Sequence, residues 1–260
     1  MSVRLMLSKA VIKLIRSLDT RKGRRKEGLF VAEGPKLVLE LWGRYDCVHL
    51  IATEKWVAEQ PVSVKQSLVE VVDETELQRA SLQQSPQQVI AIFRIPPAQD
   101  FSPTIASEQL CLALDGVQDP GNLGTIIRLA DWFGVEHVCC SIGTADIWNP
   151  KAVQATMGGL ARVSVHYVDL PQLLTALPLD IPVYGTSLQG DNIWQASLSA
   201  KGFIVMGNEG NGVSPEVNAL CNSHLLIPNY PLGRTTTDSL NVAMATGITL
   251  AEFRRRTQQI

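Results

Sequence analysis

Beyond residue 110, short apolar runs of β character alternate with stretches of helical spacing, and no other feature of the 260-residue chain limits its fold so strongly. The β-like runs are Leu110–Leu114, His137–Ser141, Val163–Val168, Val183–Thr186, Phe203–Met206 and Leu225–Ile227. Helical patterns cover Ile126–Phe133 and Lys151–Met157, and a helix through Asn241–Arg255 closes the chain. Such alternation predicts an α/β fold with a largely parallel sheet covered by helices. Ligands of such sheets bind beyond the carboxyl ends of the strands, so function is expected in the loops that follow them.

A smaller α/β region precedes this half. From Ser8 to Leu18, Val11, Ile12, Leu14, Ile15 and Leu18 recur at helical spacing with Lys9, Lys13 and Arg16 opposite, a basic amphipathic helix. A loop of Arg and Lys follows. Then come a strand at Leu29–Ala32, a turn at Glu33-Gly34-Pro35 into a helix, and β-like runs at Cys47–Ala52, Val69–Val72 and Val89–Arg94. Asp73, with Glu76 three residues on, opens a further helix. Residues Ile95 to Gln109 hold Pro96, Pro97 and Pro103 and show neither period, so they read as a linker. The expected organisation is a domain over 1–95, a linker over 96–109 and a second domain over 110–260.

Charge is unevenly placed. Nine of the 23 Lys and Arg lie in residues 1–30 against two of the 25 Asp and Glu, leaving 14 basic and 23 acidic residues for the rest. A charge run alone is more often a solvated face. A basic head on an acidic body suits a polyanion, with Arg21, Lys22, Arg24, Arg25 and Lys26 as the candidate contacts. The longest apolar runs are too short to cross a bilayer, and Lys9, Lys13 and Arg16 interrupt any secretory signal. An organelle transit segment ranks behind a folded basic helix. Five cysteines without a CxxC pair or a zinc-like His partner predict reduced thiols, a cytoplasmic protein and no metal site.

Three loops stand out. The first, Asp115 to Arg128, places Pro120 and its glycines in a tight turn, with Asn122 within it and Arg128 early in the next helix. The second, Gly207-Asn-Glu-Gly-Asn-Gly-Val213, has three glycines in six positions, which lets backbone approach a flat ligand. Its spacing is not the dinucleotide fingerprint, which disfavours a nicotinamide or flavin oxidoreductase. In the third, Ser239 is expected to cap the terminal helix and Asn241 to fall in its first turn.

In this order, Asn122, Gly124 and Arg128, then Gly207, Glu209, Gly210 and Gly212, then Ile227-Pro228 with Ser239-Leu240-Asn241-Val242, resemble the three motifs of the SpoU/TrmH family of RNA 2′-O-methyltransferases, in the SPOUT superfamily. Asn149-Pro150-Lys151 and Met157-Gly158 resemble a family segment between the first two motifs, and Phe30-Val-Ala-Glu-Gly34 the start of a substrate-binding domain. The resemblance implies a C-terminal SPOUT domain with a deep trefoil knot, S-adenosylmethionine as cofactor, RNA (ribosomal or transfer) as substrate, and a homodimer that completes each active site. Arg128, Asn122, Glu209 and Asn241 are then the catalytic candidates, and Gly207, Gly210, Ile227, Ser239 and Leu240 the cofactor contacts. Two positions depart from the family pattern: the connection Tyr230–Asp238 is longer than usual, and Ala243 stands where a small polar residue is common. A non-catalytic RNA-binding protein of the same fold is the alternative, against which intact Asn122, Arg128, Glu209 and Asn241 argue.

Overall fold

A computed structural model of the chain describes residues 6–60, 69–231 and 233–257. Arg4 of the basic head and Leu232 of the long connection lie outside the described residues. By packing, the chain divides into two units: residues 1–97 with 146–161, and residues 98–145 with 162–260.

The first unit begins with α1 (Lys9–Leu18), capped by Ser8, whose side chain accepts from the Val11 N–H. Where the basic run was expected to form a loop, it forms α2 (Arg21–Glu27). The Thr20 hydroxyl accepts from Gly23 N at its start and Gly28, at φ 65°, closes it in the left-handed region. No apolar period announces this helix. Its caps and the basic residues of its last turn, placed against the negative end of the helix dipole, stabilise it instead. There follow β1 (Leu29–Glu33), α3 (Pro35–Leu41), β2 (Cys47–Thr53), α4 (Glu54–Glu59), β3 (Val69–Val72), α5 (Glu74–Ala80) and β4 (Val89–Arg94). Asp73 caps α5 as its spacing to Glu76 predicts, accepting from Glu76 N at 2.9 Å. The sheet order is β1-β4-β2-β3, with β4 antiparallel to both neighbours and β2 parallel to β3. Ile15, Leu18, Val31, Ile51, Ile90 and Ile92 fill the core between this sheet and α1.

Residues 146–161 belong to this unit by packing. Trp148 lies against Phe30 with ring centroids 4.8 Å apart, and the Tyr45 hydroxyl donates to Leu160 O at 2.8 Å. A Cβ at Gly158, itself at φ 97°, would stand 2.6 Å from Glu40 Cβ.

In the second unit, β5 (Leu110–Leu114) leads to α6 (Pro120–Trp132) and β6 (His137–Cys140). After the residues that pack with the first unit, including α7 (Pro150–Thr156), come β7 (Ser164–Tyr167), α8 (Leu170–Thr175), β8 (Val183–Asn192), β9 (Gly202–Met206), α9 (Pro215–Asn218), β10 (Ser223–Leu226) and α10 (Val242–Thr257). The six strands stand in the order β10-β8-β9-β5-β6-β7 and every pair is parallel, as the apolar runs predicted. The chain goes from β5 to β6 and β7 on one side and returns to β8, β9 and β10 on the other. The crevice between the loops after β5 and β9 is therefore the topological switch point. Part of the expected linker is packed: Pro103–Ser107 form a 3-10 turn, and Phe101 and Ala106 join the core of Leu170, Phe203 and Val205. Phe101, Ile105 and Ala106 are too sparse among the prolines to make a period. Among the described residues, no helix is long and apolar enough to cross a membrane.

Candidate active site

Asp119 caps α6, its carboxylate accepting from Asn122 N at 2.8 Å, and Pro120 takes the first helical position. Pro120 and Gly121 thus open a helix instead of the expected turn. Asn122 stands in the first helical turn at the carboxyl end of β5, and Arg128 sits in mid-helix instead of near the start.

After β9, Gly207–Val213 folds back on itself through paired backbone hydrogen bonds between Asn208 and Gly212, each 2.9 Å. A Cβ at Gly207 would stand 2.2 Å from the Gly212 carbonyl carbon, so this position admits only glycine. Asn208, which sequence reasoning passed over, pins the loop. Its Oδ1 accepts from Gly210 N at 2.9 Å and Asn211 N at 3.1 Å, and its Nδ2 donates to Gly116 O at 2.8 Å. Asp115 Oδ2 accepts from Ser214 N at 2.8 Å on the far side. An Asn between a strand and a glycine is an Asx-turn signal and marks this residue.

At the third segment the structure corrects the expected cap. Asn241, not Ser239, caps α10: its Oδ1 accepts from Ala243 N at 3.0 Å and Met244 N at 3.2 Å. Both are cap-forming types, so composition alone left the choice to chain geometry. Ser239 and Leu240 lie just ahead of it, both exposed.

The three segments meet in one hydrogen-bonded chain. Asn122 Nδ2 donates to Glu209 Oε1 at 2.7 Å, and Asn241 Nδ2 donates to Asn122 Oδ1 at 3.0 Å. An ionised carboxylate only accepts, so Glu209 dictates which end of the Asn122 amide is nitrogen and leaves its oxygen for Asn241. Asn241 is thereby committed twice, to the start of α10 and to α6. The two helices pack closely elsewhere: Arg254 of α10 donates to Phe133 O at 2.6 Å and Gly134 O at 2.8 Å at the end of α6.

Arg128 is not in this chain. Six residues beyond Asn122, it is turned about 240° around the helix. It is exposed and makes no hydrogen bond or ion pair among the described residues. Trp132, one turn further on the same face, is 82% exposed. Along α10, Val242, Ala243, Leu250 and Phe253 are buried within their own unit, Ala245 and Ile248 are half-buried, and Met244 is 63% exposed.

Of the cofactor candidates, Gly207 and Gly210 follow β9, Ile227 follows β10, and Ser239 and Leu240 precede α10. Near a Cβ built on Gly210 there is only Asn208 Oδ1, at 3.5 Å, and near one on Gly212 nothing within 4 Å. These glycines leave open backbone surface. Ile227, just past β10, is half-buried and Leu240 is 49% exposed, which supplies apolar wall. Open glycine backbone and exposed aliphatic carbon at these positions are surfaces of the kind that suit a flat adenine with a polar tail.

The basic candidates separate. Arg21, Lys22, Arg25 and Lys26 are exposed, Lys26 pairing with Glu27 at 3.0 Å. Arg24 is 2% exposed. Its Nε and Nη2 donate to Asp146 Oδ2 at 3.0 and 2.7 Å, and its Nη1 to the carbonyls of Leu18 and Asp19 at 2.8 and 3.0 Å. Burial pushes the Cys47 and Cys111 thiols up to about 12 and Cys221 to about 11, so none is a ready nucleophile. Among the described residues, no group of three or more His, Cys, Asp or Glu is placed to hold a metal ion.

Residues 109–251 match the model of the SpoU rRNA methylase family, and residues 9–91 match that of an MRM3-like substrate binding domain. The chain belongs to the SpoU family. The 23S rRNA (guanosine(2553)-2′-O)-methyltransferase RlmP of Bacillus subtilis is 32% identical over 249 residues, covering 92% of this chain and 94% of that protein. A solved TrmH-family putative RNA methyltransferase from Porphyromonas gingivalis superposes with a TM-score of 0.86 at 41% identity, over 97% of this chain and all of the other. An AdoMet-bound rRNA methyltransferase from Sinorhizobium meliloti gives 0.80 at 30% identity, over 99% and 98% of the two chains. The membership and the two-part α/β architecture expected from the SpoU motifs are borne out.

Proposed function

We propose that this SpoU-family chain transfers the methyl group of S-adenosylmethionine to a ribose 2′-hydroxyl of RNA, with ribosomal RNA, named for its relatives in Bacillus subtilis and Sinorhizobium meliloti, as the substrate. The Asn122–Glu209–Asn241 chain carries the reading. It draws the start of α6, the loop after β9 and the start of α10 to the switch point of a parallel sheet, where ligands of such folds bind.

Gly207, Gly210, Ile227, Ser239 and Leu240 would hold the cofactor, which would supply an electrophilic methyl on a sulfonium. This chain's own residues align the acceptor. Asn122, held at both ends of its amide, keeps one N–H and lone-pair capacity for ribose oxygens, and Glu209 and Asn241 hold it there. A ribose hydroxyl is a weak nucleophile at neutral pH, and a guanidinium, a cation with donors and no acceptor, is a poor base. Arg128 therefore positions the hydroxyl and its neighbouring phosphate, a task suited to a planar fork.

Arg128 does this across a homodimer. It shares the outer face of α6 with exposed Trp132, while Asn122 points elsewhere, so a second copy covering that face buries the indole and brings Arg128 to the partner's crevice. RNA binding falls to the domain over 1–95 and catalysis to that over 110–260, supported by matches over 9–91 and 109–251, with Phe101 and Ala106 of the connection 96–109 packed into the second unit and residues 146–161 packed with the first. Arg21, Lys22, Arg25 and Lys26 face RNA, and Arg24 holds the fold. The C-terminal half is knotted, a reading supported by its kinship and by α10 returning from the β10 edge to pack on α6. The protein works in the cytoplasm, where its five free cysteines stay reduced.

The deciding experiment incubates the protein with labelled S-adenosylmethionine and 23S ribosomal RNA from cells lacking the gene, and maps 2′-O-methyl groups. Transfer to one ribose is expected, and Glu209→Ala is expected to slow it about a hundredfold by releasing Asn122. Binding of cofactor and RNA without transfer would replace the proposal with the non-catalytic alternative.

A further inference from the structure

The first unit holds a cleft of about 600 Å³ between the start of α3, the end of β2, α5 and the loop that leads into β4. Its lining is unusual in chemistry. Gln78, Gln84, Gln87 and Gln88 all face it, and none of their side-chain amides has a hydrogen bond among the described residues. Adjacent Gln83, outside the lining, does have one: its Nε2 donates to Gln154 Oε1 at 2.9 Å. Pro35, Leu77 and Pro86 add apolar surface, and Glu74 is the one charged residue of the lining.

The loop is held in an unusual backbone form. Gln88 has φ 30°, a region that residues with a Cβ seldom adopt, and its carbonyl accepts from Thr53 N at 2.8 Å. Gly34, at φ 98°, lies behind Pro35, and a Cβ there would stand 3.5 Å from Gln87 Oε1. The cations stand outside. Lys36 and Lys55, each close in sequence to a lining residue, are exposed and unpaired among the described residues.

We propose that this cleft receives an unpaired nucleobase of the RNA, with Lys36 and Lys55 meeting the flanking phosphates. The inference rests on the RNA-methylating reading and adds a subsite remote from the methyl-transfer residues in sequence. A phosphate inside the cleft would meet a carboxylate and no cation. An aliphatic ligand would strand four amides. A base has two flat faces for the prolines and Leu77 and an edge of donors and acceptors, which Gln amides match in bidentate fashion. That edge is free only where RNA is unpaired. The Glu74 carboxylate accepts only, so it favours bases that present an amino group.

The test measures anisotropy of the full-length protein with labelled eight-nucleotide strands: oligoadenylate, and an abasic strand of equal length. Gln84→Ala/Gln87→Ala alters two exposed loop side chains, and unchanged S-adenosylmethionine affinity by calorimetry confirms that the protein is folded. Its affinity for oligoadenylate is expected to fall about tenfold and its affinity for the abasic strand to stay level. Lys36→Ala should weaken both strands. Wild-type affinity of the double variant for oligoadenylate overturns the subsite while leaving the methyltransferase reading intact. A wild-type protein that binds neither strand nor 23S ribosomal RNA overturns the RNA reading and the subsite together.

Discussion

Arg24 of α2 and Arg128 of α6 carry the same guanidinium in opposite circumstances. Arg24 comes from a stretch of five basic residues in six, the setting in which an exposed polyanion contact is expected, yet it is buried and donates to Asp146 and the end of α1. Arg128 is the one cation of α6, and it is exposed and free of partners among the described residues. Helix phase decides both. On α2 the inward position happens to be an arginine, and Asp146 with the last carbonyls of α1 makes that burial tolerable. On α6 the inward positions are Leu123, Ile126, Ile127 and Ala130, which leaves Arg128 and Trp132 facing out. A basic run is thus not uniformly exposed, and a solitary cation on a helix with an apolar inner face can be left facing out.

The comparison breaks most visibly at Arg128. Arg128→Ala is expected to lower methyl transfer about a thousandfold or more while thermal stability and S-adenosylmethionine affinity stay level. Arg128→Lys should recover little, because it keeps the charge and loses the fork. Single-turnover assays at saturating cofactor and RNA read this, and a near-normal rate for Arg128→Ala removes the residue from the active site. Arg24→Ala should do the reverse. Leaving Asp146 without its cation is expected to cost about 3–5 kcal/mol of stability in denaturant unfolding. At temperatures where the variant remains folded, the rate constant for methyl transfer should change little. A variant as stable as the parent would return Arg24 to the solvated face. The smallest effect belongs to the exposed cations. Replacing Arg21, Lys22, Arg25 and Lys26 with Ala should reduce the slope of log affinity against log salt by about 3 and leave the unfolding midpoint nearly unmoved. An unchanged slope would mean that α2 does not meet RNA at all.

Legibility along the chain follows the range of the interaction. The β-like runs of the C-terminal half, the cap at Asp73 and the helix from Ser8 to Leu18 were readable because each depends on neighbours a few residues away. Helix α2 was missed because a helix held by caps, with one inward side chain, carries no apolar period. The packed part of 96–109 was missed for a related reason: Phe101 and Ala106 are single anchors. The choice of Asn241 over Ser239 as cap was not local either, since both residues suit the role and the direction in which the chain enters α10 decides between them.

By itself, the sequence determined that the C-terminal half is a largely parallel sheet, and which residue types the loops at its strand ends carry. Side-chain periodicity and turn chemistry are set within a turn or a strand, so they are written locally. Only the tertiary structure decided that Asn122 meets Glu209, 87 residues away, and Asn241, 119 residues away, while Arg128 faces outward. Those partnerships follow from β9 lying beside β5 and from α10 packing on α6. Strand order and helix phase are settled by burial summed over the whole unit, and no short segment encodes that sum.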